Sequence, residues 1–329
     1  MDEVVVVTGA SAGVGRAVAI EFARQQAKIA LIARGRERLE AARREVEGLG
    51  GRAITISADV ADAKAVEQAA ERAERELGPI DIWINNAMTT VFAPFSEITA
   101  EEFKRATEVT YLGFVYGTMA ALRCMKQRNR GTIVQVGSAL AYRSIPLQSA
   151  YCGAKHAIVG FTDSIRSELI HEKSGIHITV VHLPAMNTPQ FSWCRTKLPR
   201  HPQPVPPIFE PEVAAKAIDW AAHHRKRELY VGLPTAKAIY GQEIAPGFAD
   251  RYLARTGFES QQTNAPVPPG RPDNLFESVP GDWGAHGVFT DRAKNFSPGM
   301  WFEMHRPAVG AAVAGLGLFA LGLLRARGR

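Results

Sequence analysis

Apolar residues in this chain come in short unbroken runs separated by longer stretches in which they recur every three or four positions. Residues 4–7 are four consecutive valines, the pattern of a strand buried on both faces of a parallel sheet. Helical periodicity over 15–26 follows, then a strand over 28–32. The alternation continues: helix 36–49, strand 53–57, helix 63–77, strand 80–85, helix 100–124, strand 131–137, helix 151–171, strand 177–183. Six strands alternating with helices predict an α/β fold, a doubly wound parallel sheet with its ligand site at the carboxyl ends of the strands.

The pattern changes at Pro184. Between Ala185 and Pro211 the prolines at 199, 202, 204, 206 and 207 disfavour regular structure, and a substrate lid is expected there before a helix at 212–223. A last strand is predicted over 228–232 and helical segments over 235–253 around Pro246. From 256 to 305 the chain is rich in Pro, Gly, Asn and Asp and holds no period, which predicts an extended arm around the body, with disorder as the alternative. Residues 308–324 carry no charged or polar side chain and are followed by Arg325, Arg327 and Arg329. As a helix this run would reach about 26 Å, near the short end of membrane spans. The expectation is therefore a catalytic domain over 1–255, an arm over 256–305 and a membrane helix over 306–326. A buried C-terminal helix is the alternative, weakened in water by Gly310, Gly315, Gly317 and Gly322.

Composition narrows the class. Of 329 residues 46% are hydrophobic and 22% charged, ordinary for a globular chain. Lys and Arg exceed Asp and Glu by 39 to 33, enough to attract an anionic ligand or an acidic membrane surface. The basic runs at 34–36 and 225–227 have no aromatic interleaving, so they read as solvated ends and no nucleic-acid partner is expected. Cys124, Cys152 and Cys194 are too scattered for a disulfide framework or a metal site, and no metal is expected. With only Met1, Asp2 and Glu3 ahead of the first valine run there is no room for a leader, so a cytoplasmic body held at a membrane by its tail is expected.

Gly9, Gly13 and Gly15 fall where the first strand turns into the first helix. Without Cβ atoms there, backbone can approach a pyrophosphate, and free helix N–H groups favour its charge. A plain tight turn is the alternative. The second strand ends in Ala33-Arg34 where an acidic residue would read ribose hydroxyls. Arg34, with Ser11 and Arg16 near it, offers a planar cation to a 2′-phosphate, which predicts NADP(H); a solvated arginine is the alternative. Asp59-Val60 can take the adenine amino group and Asn85-Asn86-Ala87 the nicotinamide ribose, unless both pairs serve only as turns.

Tyr151 and Lys155, four residues apart, lie on one helical face. A phenol near pKa 10 needs roughly 4 kcal/mol to reach 7. One ammonium at about 4 Å in an effective dielectric near 20 would supply that. Ser138, at the end of the fifth strand, can donate to the same substrate carbonyl.

Thr8-Gly9-x-x-x-Gly13-x-Gly15, Asn85-Asn86-Ala87, Ser138 and Tyr151-x-x-x-Lys155, in this order, resemble the short-chain dehydrogenase/reductase family over about residues 3–235. The resemblance implies a Rossmann-type fold of the NADP-preferring kind and hydride exchange between a carbonyl and an alcohol. It also implies Tyr151 as acid/base, Lys155 on the ribose and lowering the phenol pKa, and Ser138 as positioner. Gly9, Ser11, Gly13, Val14, Gly15, Arg16, Arg34, Asp59, Val60, Asn86, Ala87, Pro184 and Thr188 would contact the cofactor. Thr110 stands where the family usually carries an Asn that starts a proton relay, Met88 where it carries Gly, and Ala185 where it carries the Gly of a Pro-Gly pair. A small, apolar carbonyl or alcohol substrate and a homo-oligomer are expected. Epimerisation or dehydration in the same site, or NADP(H) sensing without turnover, are the alternatives.

Overall fold

The computed structural model describes residues 2–305. Seven parallel strands, β1 (Val4–Thr8), β2 (Lys28–Ala33), β3 (Arg52–Ser57), β4 (Ile82–Asn85), β5 (Gly131–Ser138), β6 (Ile176–Leu183) and β7 (Glu228–Tyr230), form one sheet in the order β3-β2-β1-β4-β5-β6-β7. Helices α1 (Gly13–Ala23), α2 (Arg36–Gly48), α3 (Ala63–Leu77), α4 (Ala100–Thr107), α5 (Gly113–Lys126), α6 (Ser149–His171) and α7 (Pro211–His223) accompany it. After β7 come α8 (Leu233–Ile244) and α9 (Pro246–Thr256), and α10 (Pro298–Met304) is the last described helix.

The valines of β1 have no polar face because both sides are covered. Val5 and Val7 pack with Val18 and Phe22 of α1, Leu39 of α2 and Ile218 of α7. Val4 and Val6 pack on the other side with Val66 of α3, Met125 of α5 and Leu169 of α6. Strand order reverses between β1 and β4, and the crevice opened at their carboxyl ends is where doubly wound sheets bind ligands. The single helix expected over 100–124 is divided: Glu108–Leu112 forms a π-helical turn between α4 and α5. Such turns are frequent at functional sites, and this one carries Thr110.

Residues 257–305 lie along the body. Residues 262–266 pair antiparallel with 200–202, Phe289 is buried with Phe92, Phe191 and Ile208, and Leu275 is fully buried with Val91, Ala93, Ala106 and Ala150. Removing the Leu275 side chain would leave a cavity under the arm. L275A is expected to cost about 2–4 kcal/mol and to speed proteolysis near residue 275; an unchanged urea midpoint would show the contact to be unimportant.

The expected membrane helix is corrected here. Among the described residues no helix is long and apolar enough to cross a membrane. The helix that precedes the apolar run, α10, has seven residues. It is docked on the body through buried Met300 and through the Lys226–Glu303 ion pair at 2.8 Å. The run 308–324 itself lies outside the described residues. The membrane partner and the membrane-held localisation are withdrawn with the helix.

Candidate active site

The chain leaves β1 at Thr8 and turns through Gly9 to Gly15 into α1. Gly9 and Gly13 have φ of +68° and +58°, a region that disfavours any Cβ. A Cβ on Gly9 would also lie 2.8 Å from Ala87 Cα, and one on Gly15 would strike the Gly9 carbonyl and Asn86 Nδ2. The loop therefore sits directly against the end of β4. There Asn86 N and Nδ2 donate to Thr8 Oγ1 and Thr8 O, each at 2.9 Å. G15A is expected to force loop and Asn86 apart at roughly 1–3 kcal/mol, lowering nucleotide affinity about tenfold or more. Fluorescence titration would read it, and unchanged affinity would mean that the loop yields without cost.

A cavity of about 420 Å³ follows the carboxyl ends of the strands. Gly9, Ser11, Gly13, Val14, Arg34, Asp59, Val60, Asn86, Ala87, Ser138, Tyr151, Lys155, Pro184 and Thr188 all line it. Of the residues expected at the site, Gly15, Arg16 and Thr110 are not on its wall. Arg16 is buried: its Nε donates to Glu45 at 2.6 Å and its Nη1 to the Ser11 and Arg38 carbonyls. Thr110 is closed into a pair with Thr89, donating to the Thr89 carbonyl at 2.7 Å and accepting from its N–H at 3.0 Å. Asp59 accepts from Arg105.

The arm reaches this site through its backbone. Arg34 donates to the carbonyls of Phe276 at 2.6 Å and Asn274 at 2.5 Å, and Gly13 N–H donates to the Gly284 carbonyl at 3.0 Å. Burial pushes the Arg34 pKa down. Both terminal nitrogens of the cation expected to read a 2′-phosphate are thus engaged by the arm. Four residues beyond Arg34, Arg38 also lines the cavity and stands 5.0 Å over the Trp193 ring. Its spacing from Arg34 could have flagged it. No residue type could have flagged the contacts of Asn274, Phe276 and Gly284, because main-chain carbonyls carry no side-chain identity.

At the reacting end, β5 delivers Ser138 and α6 delivers Tyr151 and Lys155. Ser138 Oγ accepts from Leu140 N–H at 3.1 Å. Lys155 Nζ donates to the Val136 carbonyl at 2.7 Å and lies 4.6 Å from the Phe114 ring centroid. Burial dominates both titrating groups. It pushes the Lys155 ammonium down to about 7, and it pushes the Tyr151 phenol up against the opposing hydrogen bond of Ser138. The expected lowering of the phenol by a fully charged neighbour is corrected accordingly: in this dry wall the ammonium is itself destabilised. Behind Ser138, the ring of fully buried His182 links the Ser138 carbonyl at 3.2 Å to Glu228 at 3.1 Å. Burial pushes the Glu228 carboxyl up, but hydrogen bonds from His182 and Tyr142 outweigh it and hold the group at about 2.

A sequence model of the short chain dehydrogenase family matches residues 3–197, more than half of the chain. The chain belongs to the short-chain dehydrogenase family. As a member it is an NAD(P)(H)-dependent oxidoreductase interconverting a ketone and an alcohol, acting on CH–OH groups. This short-chain dehydrogenase is 33% identical over 319 residues to the uncharacterized oxidoreductase YxnA of Bacillus subtilis, covering 96% of this chain and 89% of that protein. It is 36% identical over 193 residues to the 3-dehydrosphinganine reductase of Danio rerio, covering 57% of this chain and 58% of the relative. The chain thus spans a little over half of that reductase. A solved alcohol dehydrogenase from the archaeon Thermococcus sibiricus, complexed with 5-hydroxy-NADP, superposes with a TM-score of 0.60 at 27% identity. That match covers 69% of this chain and 95% of the archaeal one. The archaeal structure supports NADP(H) as the cofactor. Beyond it none of these matches carries a preference for NADP over NAD, so the NADP-preferring subtype expected from Arg34 is withdrawn.

Proposed function

We propose that this short-chain dehydrogenase interconverts an apolar ketone and its secondary alcohol with NADP(H), using Tyr151 as acid/base. The observation that carries the reading is one cavity wall holding Ser138, Tyr151 and Lys155 together with the glycine loop. NADP(H) is supported by the archaeal relative complexed with 5-hydroxy-NADP. The left-handed Gly9 and Gly13 fit such a group, since both line the cavity and present main chain there without Cβ atoms. Gly9, Ser11, Gly13 and Val14 would hold its phosphates, Asp59 and Val60 its adenine, Asn86, Ala87 and Lys155 its nicotinamide ribose, and Pro184 and Thr188 its carboxamide.

Bound, the cofactor supplies or accepts the hydride at the carbonyl carbon. Ser138 donates a hydrogen bond to the carbonyl oxygen and fixes its direction. Tyr151 delivers its phenolic proton to that oxygen as negative charge grows there, and takes it back in the oxidative direction. Lys155, poised near neutral pH, offers positive charge to the phenolate left behind.

Ile145, Phe191, Val205, Pro207 and Leu253 share this cavity, which supports an apolar substrate; the zebrafish relative named for reduction of 3-dehydrosphinganine agrees with it. The test is a series of aliphatic ketones of increasing length with NADPH. Expected is a rise in kcat/KM of about three- to fourfold per buried methylene. A flat series would remove the apolar substrate, and no net NADPH consumption with any ketone would favour epimerisation or dehydration by the same residues.

A further inference from the structure

Gln148 stands three residues before Tyr151, immediately ahead of α6, and lines the same cavity as Ser138 and Tyr151. It is 8% exposed, and the Gln261 beside it is fully buried. The orientation of both amides follows from their partners. Gln261 Nε2 donates to the Pro146 carbonyl at 2.9 Å and to the Gly257 carbonyl at 2.6 Å. Two carbonyls can only accept, so the NH₂ end of Gln261 must face them and its Oε1 must face Gln148. Gln148 meets that oxygen by donating from its own Nε2 at 2.7 Å. Its Oε1 is left with no hydrogen-bond partner among the described residues, and the cavity that Gln148 lines also carries Ile145, Phe191 and Leu253.

A carbonyl-type acceptor held in one orientation by a buried partner and facing a cavity is available to a donor on a bound molecule, and a ligand that displaced its solvent without replacing that hydrogen bond would lose affinity. Gln148 caps the helix that carries Tyr151 and both residues line one cavity, so a molecule bound there can meet the two together. We infer that Gln148 is a specificity-determining residue that selects ketones bearing a hydrogen-bond donor, a hydroxyl or amine, within a few bonds of the carbonyl. The inference rests on the reductase reading above. Gln261 is the positioning residue. It touches no substrate and decides which atom of Gln148 does.

The experiment compares a medium-chain β-hydroxyketone with the ketone of equal length lacking the hydroxyl, both with NADPH. The wild-type kcat/KM ratio is expected to favour the hydroxyketone by about tenfold or more. In Q148L the ratio is expected to fall to about one, and in Q261L, where the Gln148 amide is free to turn, to an intermediate value. Thermal midpoint and NADPH affinity of each variant are measured alongside to show that it folds. A wild-type ratio near one, or an undiminished ratio in folded Q148L, overturns the inference. The two ketones' dissociation constants for the NADPH complex, read from nicotinamide fluorescence, give the same ratio without turnover. Discrimination in binding with no reduction of either ketone would sink the reductase reading and leave the Gln148 assignment standing.

Discussion

Replacing Tyr151 by Phe is expected to lower kcat for ketone reduction by roughly two to four orders of magnitude, the contribution of a positioned general acid. Ring size and burial are kept, so NADPH affinity should move little. The loss should appear in kcat and kcat/KM alike, because the phenolic proton matters only as the carbonyl oxygen gains charge. Single-turnover rates with bound NADPH would check this directly. Activity within threefold of wild type would remove Tyr151 from the proposed chemistry.

Lys155→Met is expected to abolish turnover and yet to stabilise the protein at low pH. The folded-state pKa of Lys155 is about 7 against an ordinary 10.5, so between those values the unfolded chain binds more protons and stability rises with pH. Below pH 7 the whole penalty for burying the ammonium is present, on the order of 5 kcal/mol. Above 10.5 it is gone. Losing the hydrogen bond to the Val136 carbonyl offsets about 1 kcal/mol of any gain. The variant's unfolding midpoint should therefore exceed that of wild type at pH 6, and the difference should shrink steadily toward pH 10. A difference independent of pH, or one that grows with pH, would contradict the burial of a titrating ammonium at this position.

Both variants rest on residues that were legible in the sequence. Tyr151 and Lys155 are four apart on a helix and so share a face whatever the fold around them. Ser138 ends an apolar run, and Gly9 and Gly13 follow one, so strand ends and helix starts placed them at one edge of the sheet. Arg16 was legible only as a cation. Its burial against Glu45 needs α2 to fold back beside α1. Thr110 was read as a candidate relay group from its position before β5, but the π-helical turn aims its hydroxyl at Thr89.

Local periodicity and the stiffness of β-branched runs were enough to determine, from the sequence alone, a doubly wound parallel sheet, a glycine turn after β1 and a serine, tyrosine and lysine at its carboxyl edge. Those are short-range properties of backbone sterics and side-chain spacing. Tertiary structure alone decided that the arm engages Arg34, that Gln261 fixes the orientation of the Gln148 amide, and that the ammonium of Lys155 is buried. Main-chain carbonyls and the local dielectric are supplied by segments far apart in the chain, and no pattern within a window of sequence records them.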